Sequence, residues 1–468
     1  MALGIVNIPE NGVMPIERGG TGKTTATEAL KALGGFSEKG GTINGDIVIN
    51  GKIAKGNNIA KGINSHAEGA GTEANGYHTH AEGQNTIANG FYSHAEGSGS
   101  TANGQGSHAE GYNTTANESC SHAEGYGTTT SEQASHAEGR ETIASESYAH
   151  AEGWGTTASG MAAHTEGKET IASKSYAHAE GNKTTASGSA SHSEGNSTEA
   201  SGNYSHAEGQ YTTAKGMASF AAGYATIASK ANQFVIGSAN KESTDGNDVF
   251  IIGNAGSRNT ASNCFRVTNF MGVYSDGAYH STGADYAEYF QWKDRNSNNE
   301  DRVGLFVTLD GEEISIAKPN DDILGIVSAC PSVCGETHED QWKGMYQTDI
   351  YGRPILEEVT IPDEFIMLPD PQNPEKTIKT LIREAHTEIR QKLNENYDST
   401  QQYIPRSKRP EWSAVGLLGK LVVIDDGMCE VNGWCTAGEG GIAVKSEQKT
   451  RFKVMARLDQ NHIRVMML

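Results

Sequence analysis

The chain has 468 residues, a formal net charge of −21, 35% apolar residues, 57 Gly and only 11 Pro. That apolar share is too small for one large core, and Gly without Pro points to many tight turns in a regular architecture. The acidic balance argues against nucleic acid or an anionic membrane as partner; no run of 18 apolar residues offers a spanning helix, and six scattered Cys do not make a disulfide-stapled fold.

The first twelve residues, MALGIVNIPENG, lack the basic and apolar regions of a signal peptide, so synthesis in a bacterial cytoplasm is expected. Residues 17–30 read ERGGTGKTTATEAL. A nucleotide-binding P-loop needs G-x-x-x-x-G-K-T after a buried strand. Counting back from Gly22, the first Gly position holds Glu17, and Pro15 interrupts the would-be strand. The shorter form K-G-G-x-G-K-T fails too, because Arg18 stands in its Lys position. A run like the second nucleotide motif, LVVID at 421–425, lies some 400 residues away with no α/β pattern between. No ATPase and no cofactor is expected. The stretch resembles the GGTG-x-TT segment common in phage tail-fibre proteins. That resemblance implies an attachment segment over residues 1–50, with Thr24 or Thr25 capping a short helix that ends at Gly34.

From His66 to His206 eleven of the 16 His recur every 14 residues, each in S-H-A-E-G or a near copy. Fourteen is two heptads, but each period carries one or two Gly, costing roughly 1 kcal/mol apiece in a helix, and no Leu seam exists. Two short strands per period, S-H-A-E-G and T-x-A, fit better, with Gly, Asn and Ser at the turns. The spacing predicts a β-solenoid over residues 51–261, one coil per repeat, with twelve coils giving a shaft of about 58 Å.

Strand alternation puts Ser and Ala inside a thin coil and His and Glu outside; in the second strand Thr and Ala point inward. His and Glu hardly vary, whereas the positions after Gly vary freely, so the His and Glu columns are expected to be covered. After His206 the same slots read SFAAG, QFVIG and VFIIG, with Phe220, Phe234 and Phe250 in the His position. Apolar residues in that slot predict a cover, and another copy of the chain is the candidate. Charged His about 5 Å apart would repel by roughly 3 kcal/mol at an effective dielectric of 20, which Glu offsets. His–Glu hydrogen-bonded layers between subunits are expected rather than a metal ladder; no metal is expected. The repeat resembles the head repeat of YadA-type trimeric adhesins, which implies a homotrimeric left-handed parallel β-roll. This sequence departs from that family in placing His and Glu in its Val and Ile slots.

Beyond residue 262 the repeats stop. Residues 262–284 read as a linker and 285–468 as an α+β domain. DRVGLFVTLDG, EEISIA, DDILGIVSA and LLGKLVVIDDG read as strands with turns. Residues 375–393, EKTIKTLIREAHTEIRQKL, read as an amphipathic helix with Ile378, Leu381, Ile382, Ala385, Ile389 and Leu393 on one side. Cys330 with Cys334 and Cys429 with Cys435 lack zinc-knuckle spacing, and unligated thiols are expected. Asp425 and Asp426 read as turn residues.

STGADYAEYF, EDRVGLFVTLDG, DDILGIVSA and RPEWSAVGLLGKLVV together resemble the intramolecular-chaperone autoprocessing domain at the ends of phage neck-appendage and tail-fibre proteins. The resemblance covers about 281–468. It implies a domain that helps three chains fold and then cuts itself off, with Asp285 and, less directly, Glu288 as acidic catalytic residues and scission near Ser281. In HSTGADYAE the hydroxyl of Ser281 or Thr282 stands beside flexible Gly283, and a carboxylate could serve as general base; the bland alternative is that Asp285 only caps a turn.

The combined reading is a homotrimeric phage or prophage tail-fibre or appendage protein of the virion tail. It would attach to tail or baseplate proteins through its N-terminus and contact a host surface receptor, with glycans as one class. Nucleic acid and membrane insertion are not expected. Tyr92, Tyr112, Tyr126, Trp154 and Tyr211 could stack on sugars or be ordinary surface residues. The alternatives are a bacterial trimeric surface adhesin, a non-cleaving structural fibre, an ice-binding solenoid and a glycan-degrading spike.

Overall fold

The computed structural model describes residues 52–468 except 55–56, 243–247, 270–271, 371–372 and 384. The attachment segment and the P-loop-like stretch lie outside the described residues. The described chain is mainly β, with three single-turn 3₁₀ segments and no α-helix among the described residues. It divides into a solenoid unit and a C-terminal unit whose main part spans Asn263–Leu468.

In the solenoid each 14-residue period is one coil. A five-residue strand such as His122–Tyr126 carries the H-A-E-G motif, and a two-residue strand such as Thr129–Thr130 follows. The second strand is shorter than T-x-A: the buried Thr precedes it. Fourteen strands of the first kind stack, from Ile53–Ala54 to Phe234–Ser238, against the twelve coils expected. Stacking is parallel and in register, His108 to His122 to His136. The second strands form their own 13-stranded parallel sheet.

The expected faces hold. Ala109, Ala116, Ala123, Ala137 and Ala144 are fully buried, as are Thr114, Thr128 and Thr142. Two sheets this close leave room only for small side chains, so the repeat selects Ala, Ser and Thr. Where the slot before His is Ser, it closes the turn: Ser121 Oγ donates to the Glu118 carbonyl at 2.6 Å. Backbone hydrogen bonds then run from coil to coil, His122 N to Ser135 O at 2.9 Å. On one edge Asn75, Asn89, Asn103 and Asn117 form a ladder of side-chain bonds at 2.8–2.9 Å.

The C-terminal unit holds a closed five-stranded barrel. Asp285–Trp292 pairs in parallel with Glu313–Ile316, which pairs with Phe306–Asp310, then Ile323–Val327, then Trp412–Ile424, which returns to Asp285–Trp292. Four of the five fall in or overlap the segments read as strands from the sequence, and Asp285–Trp292 is the addition. Trp292, Val307, Ile314, Val327 and Val415 form one buried cluster. The sheet continues from Trp412–Ile424 through His462–Met467 and Phe452–Arg457, and Phe306, Leu421, Val423, Phe452, Ile463 and Val465 belong to a second core.

The helix predicted over 375–393 is corrected. Asn373–Arg383 pairs antiparallel with Glu364–Asp370, and His386–Gln391 with Leu356–Ile361. Thr377, Ile378, Thr380, Ile382, Thr387 and Ile389 are β-branched, stiff at χ1 and suited to a pleated ribbon. Ile389 and Leu393 are 64% and 44% exposed, so these two side chains do not seek a core. The C-terminal domain is therefore β rather than α+β. Asp425 is also more than a turn residue: its buried carboxylate accepts from Arg457 Nη2 at 2.7 Å and Nη1 at 3.1 Å.

Candidate active site

Asp285 opens its strand where two glycines of VGLLGKL let the neighbouring backbone approach. Asp285 pairs with Gly419, Tyr286 with Leu418 and Ala287 with Gly416, so Leu417 is extra and the strand bulges. A Cβ on Gly419, which sits at φ +114°, would lie 2.3 Å from the Ala284 carbonyl oxygen. A Cβ on Gly416 would lie 2.1 Å from Leu421 Cδ2 and 2.9 Å from Asp285 Oδ2. Only glycine allows that approach. The Ala284 carbonyl accepts from Lys420 N–H at 3.1 Å, and the Asp285 carbonyl from Ser332 N–H at 2.8 Å.

The Asp285 side chain is buried, and its Oδ2 has no hydrogen-bond partner. Burial pushes its carboxyl above the usual carboxylate range, opposed by the Ser328 hydroxyl. It lines a cavity of about 590 Å³ with Thr282, Gly283, Ser328, Cys330, Lys420 and Arg464. A buried carboxyl raised above its ordinary range, in a cavity that Ser328, Lys420 and Arg464 also line, can exchange a proton with a peptide brought there.

Glu288, three residues on in an extended strand, has the opposite parity. Its carboxylate accepts from the exposed Tyr286 hydroxyl, whereas Asp285 and Ala287 face inward. The structure therefore does not place the two acids on one face. Burial raises the Cys334 thiol, and both carboxylates add to that rise. Ser281 is exposed, and its Oγ accepts from Gly283 N–H at 3.1 Å. Thr282, rather than Ser281, lines the cavity. Sequence reasoning missed Ser328, Lys420 and Arg464, which reach the cavity from three separate strands or loops.

Residues 232–461 match the family described as Peptidase_G2, the IMC autoproteolytic cleavage domain. The chain is 30% identical over 172 residues to the pre-neck appendage protein of Bacillus phage B103, covering 35% of this chain and 17% of that protein. It is 31% identical over 173 residues to the pre-neck appendage protein of Bacillus phage phi29, with the same coverage. A phage-related protein, YobO, of Bacillus subtilis is 31% identical over 181 residues, covering 38% and 19%. The chain thus aligns with about a sixth of the length of the phage proteins it matches. The solved structure of pre-mature bacteriophage phi29 gene product 12 aligns over 91% of this chain and 40% of that one, at 16% identity and a TM-score of 0.37. Residues 232–461 are thus similar to an autoproteolytic cleavage domain, and a stretch of about 170 residues is similar to part of phage pre-neck appendage proteins.

Proposed function

We propose that the chain forms part of a homotrimeric phage or prophage tail appendage that contacts a host surface receptor, and that its C-terminal domain folds with its partners and then severs itself. The solenoid is read as a YadA-type head shaft. Three chains meet along the His and Glu columns and the Phe220 and Phe234 slots that continue them.

The cleavage reading is supported by the buried carboxyl of Asp285, whose Oδ2 has no hydrogen-bond partner, at the start of a strand inside the matched cleavage domain. Scission adds one water across a peptide bond near Ser281. The hydroxyl of Thr282, which lines the cavity with Asp285, attacks the preceding Ser281 carbonyl, its proton leaves through the carboxylate to the departing amine, and water then hydrolyses the ester. The shaft reading is supported by Phe234. It stacks on Phe220 with centroids 4.6 Å apart yet stays 42% exposed in a single chain, so a second chain can cover it.

Two measurements test this. Mass spectrometry of the purified chain during prolonged incubation should show two fragments whose masses sum to the intact chain plus water, and only intact chain would refute cleavage. Light scattering on the same sample should give three chains per particle, and a monomer would refute the shaft reading.

A further inference from the structure

Eleven imidazole rings, His66 to His206, stack along the first sheet with centroids 4.6–4.9 Å apart. From His80 to His206 every Nε2 is shielded from solvent and has no hydrogen-bond partner. A glutamate of the same strand stands within 4 Å of the Nε2 of eight of these rings. The Nε2 to Oε2 separation is 3.6 Å at His80 and Glu82, 3.5 Å at His94 and Glu96, and 3.7 Å at His178 and Glu180.

Those separations are too long for hydrogen bonds. They are close to the gap between two ligands of one tetrahedral ion, which stand roughly 3.4 Å apart when each bond is about 2.0–2.1 Å. His80, Glu82 and His94 bring three ligand atoms within 4.8 Å of one another, and so do His108, Glu110 and His122.

We propose that the His–Glu column is a metal ladder for a divalent cation of the zinc class, each ion held by the Nε2 atoms of two successive coils and the carboxylate between them. Two imidazoles and one carboxylate suit zinc and its neighbours, whereas magnesium and calcium prefer all-oxygen sites. Each Nε2 has one lone pair and serves one ion, so the ten shielded nitrogens allow about five ions per chain. Alternate spacing also doubles the distance between dications, which would otherwise sit one strand apart. The net charge of −21 favours their uptake. The ladder uses the side chains of one chain and does not depend on the trimer or on cleavage. It replaces the expectation of a metal-free column.

The test is zinc titration of the chelator-stripped full chain by calorimetry, with metal analysis after gel filtration. Retention of one or more zinc ions per chain, approaching five and resisting excess magnesium, is expected. The double variant His108→Phe/His122→Phe should retain about one ion fewer. Phe already fills this register at Phe220 and Phe234, so the coil has a precedent for it. Far-UV circular dichroism checks the fold, and if that variant does not fold, Glu110→Gln serves with the same expected decrease. Cobalt in place of zinc should give the visible absorption of nitrogen and oxygen ligation. Retention of less than one zinc per chain, or zinc content unchanged by the folded variant, would overturn the ladder.

Discussion

Gly139 lies so close to Gly153, its equivalent one coil on, that a Cβ on the first would stand 2.1 Å from the carbonyl oxygen of the second. The same approach recurs at Gly125 and Gly167, with contacts of 2.1 and 2.2 Å. Gly139 also holds φ at +109°. An alanine there meets both a clash and left-handed strain of roughly 1–2 kcal/mol. Gly139→Ala should therefore open the stack locally, lowering the unfolding midpoint and creating a protease-sensitive site near that coil. An unchanged midpoint and cleavage pattern would contradict the packing described.

The coil interior carries two kinds of hydroxyl, with opposite expected effects. Thr156 Oγ1 is buried and makes no hydrogen bond, so Thr156→Val removes a desolvated polar atom without changing shape. It should stabilise by about 1 kcal/mol in denaturant unfolding. Ser121 Oγ donates to Glu118 O at 2.6 Å, and Ser121→Ala should cost about 1 kcal/mol. Equal signs for the two would show that the Thr hydroxyls are satisfied.

The His column sets an acid dependence in chelator-treated, metal-free protein. Burial lowers His94, His108 and His80 lower it further, and Glu82 and Glu110 oppose the shift. His122, His136, His150, His164, His178 and His192 are lowered as well, with burial the leading cause. A lowered base binds fewer protons folded than unfolded, so stability rises with pH. The contribution is full above the unfolded value of about 6.5 and is lost as pH falls through the folded values. The urea midpoint of the solenoid should be lower at about pH 5 than at about pH 7.5. The reverse order would mean that the glutamates outweigh burial.

Asp285 runs the other way. Its folded carboxyl is raised by burial, so the folded state binds the proton more tightly than the unfolded chain. Its contribution is fully present below the ordinary carboxylate range and is lost as pH rises through the raised value. Asp285→Asn removes that slope. The variant should be at least as stable as the parent at neutral pH and should stay intact in the incubation that cleaves the parent. Normal cleavage by a folded Asp285→Asn chain would remove this residue from the chemistry.

The two strands within 373–391 and the cavity around Asp285 mark where reading the sequence stopped. Helical spacing of Ile378, Leu381, Ile382 and Ile389 is one arrangement of those residues. Pairing with Glu364–Asp370 and Leu356–Ile361 is another, and the β-branched side chains favour it. Asp285 stood out because of its motif. Lys420, Arg464 and Ser328 gave no local signal.

What the sequence by itself determined is the solenoid: its period, its Ala and Thr interior, its outward His and Glu, and its turn glycines. Each coil touches only the next, so a 14-residue rule repeated along the chain fixes register and faces at once. What only the tertiary structure decided is the barrel and its site. There partners lie far apart in the chain: Trp292 Nε1 donates to Ser413 Oγ across 121 residues, and Arg457 neutralises buried Asp425 across 32. Such pairings depend on which strands close the barrel, a choice that no local spacing encodes.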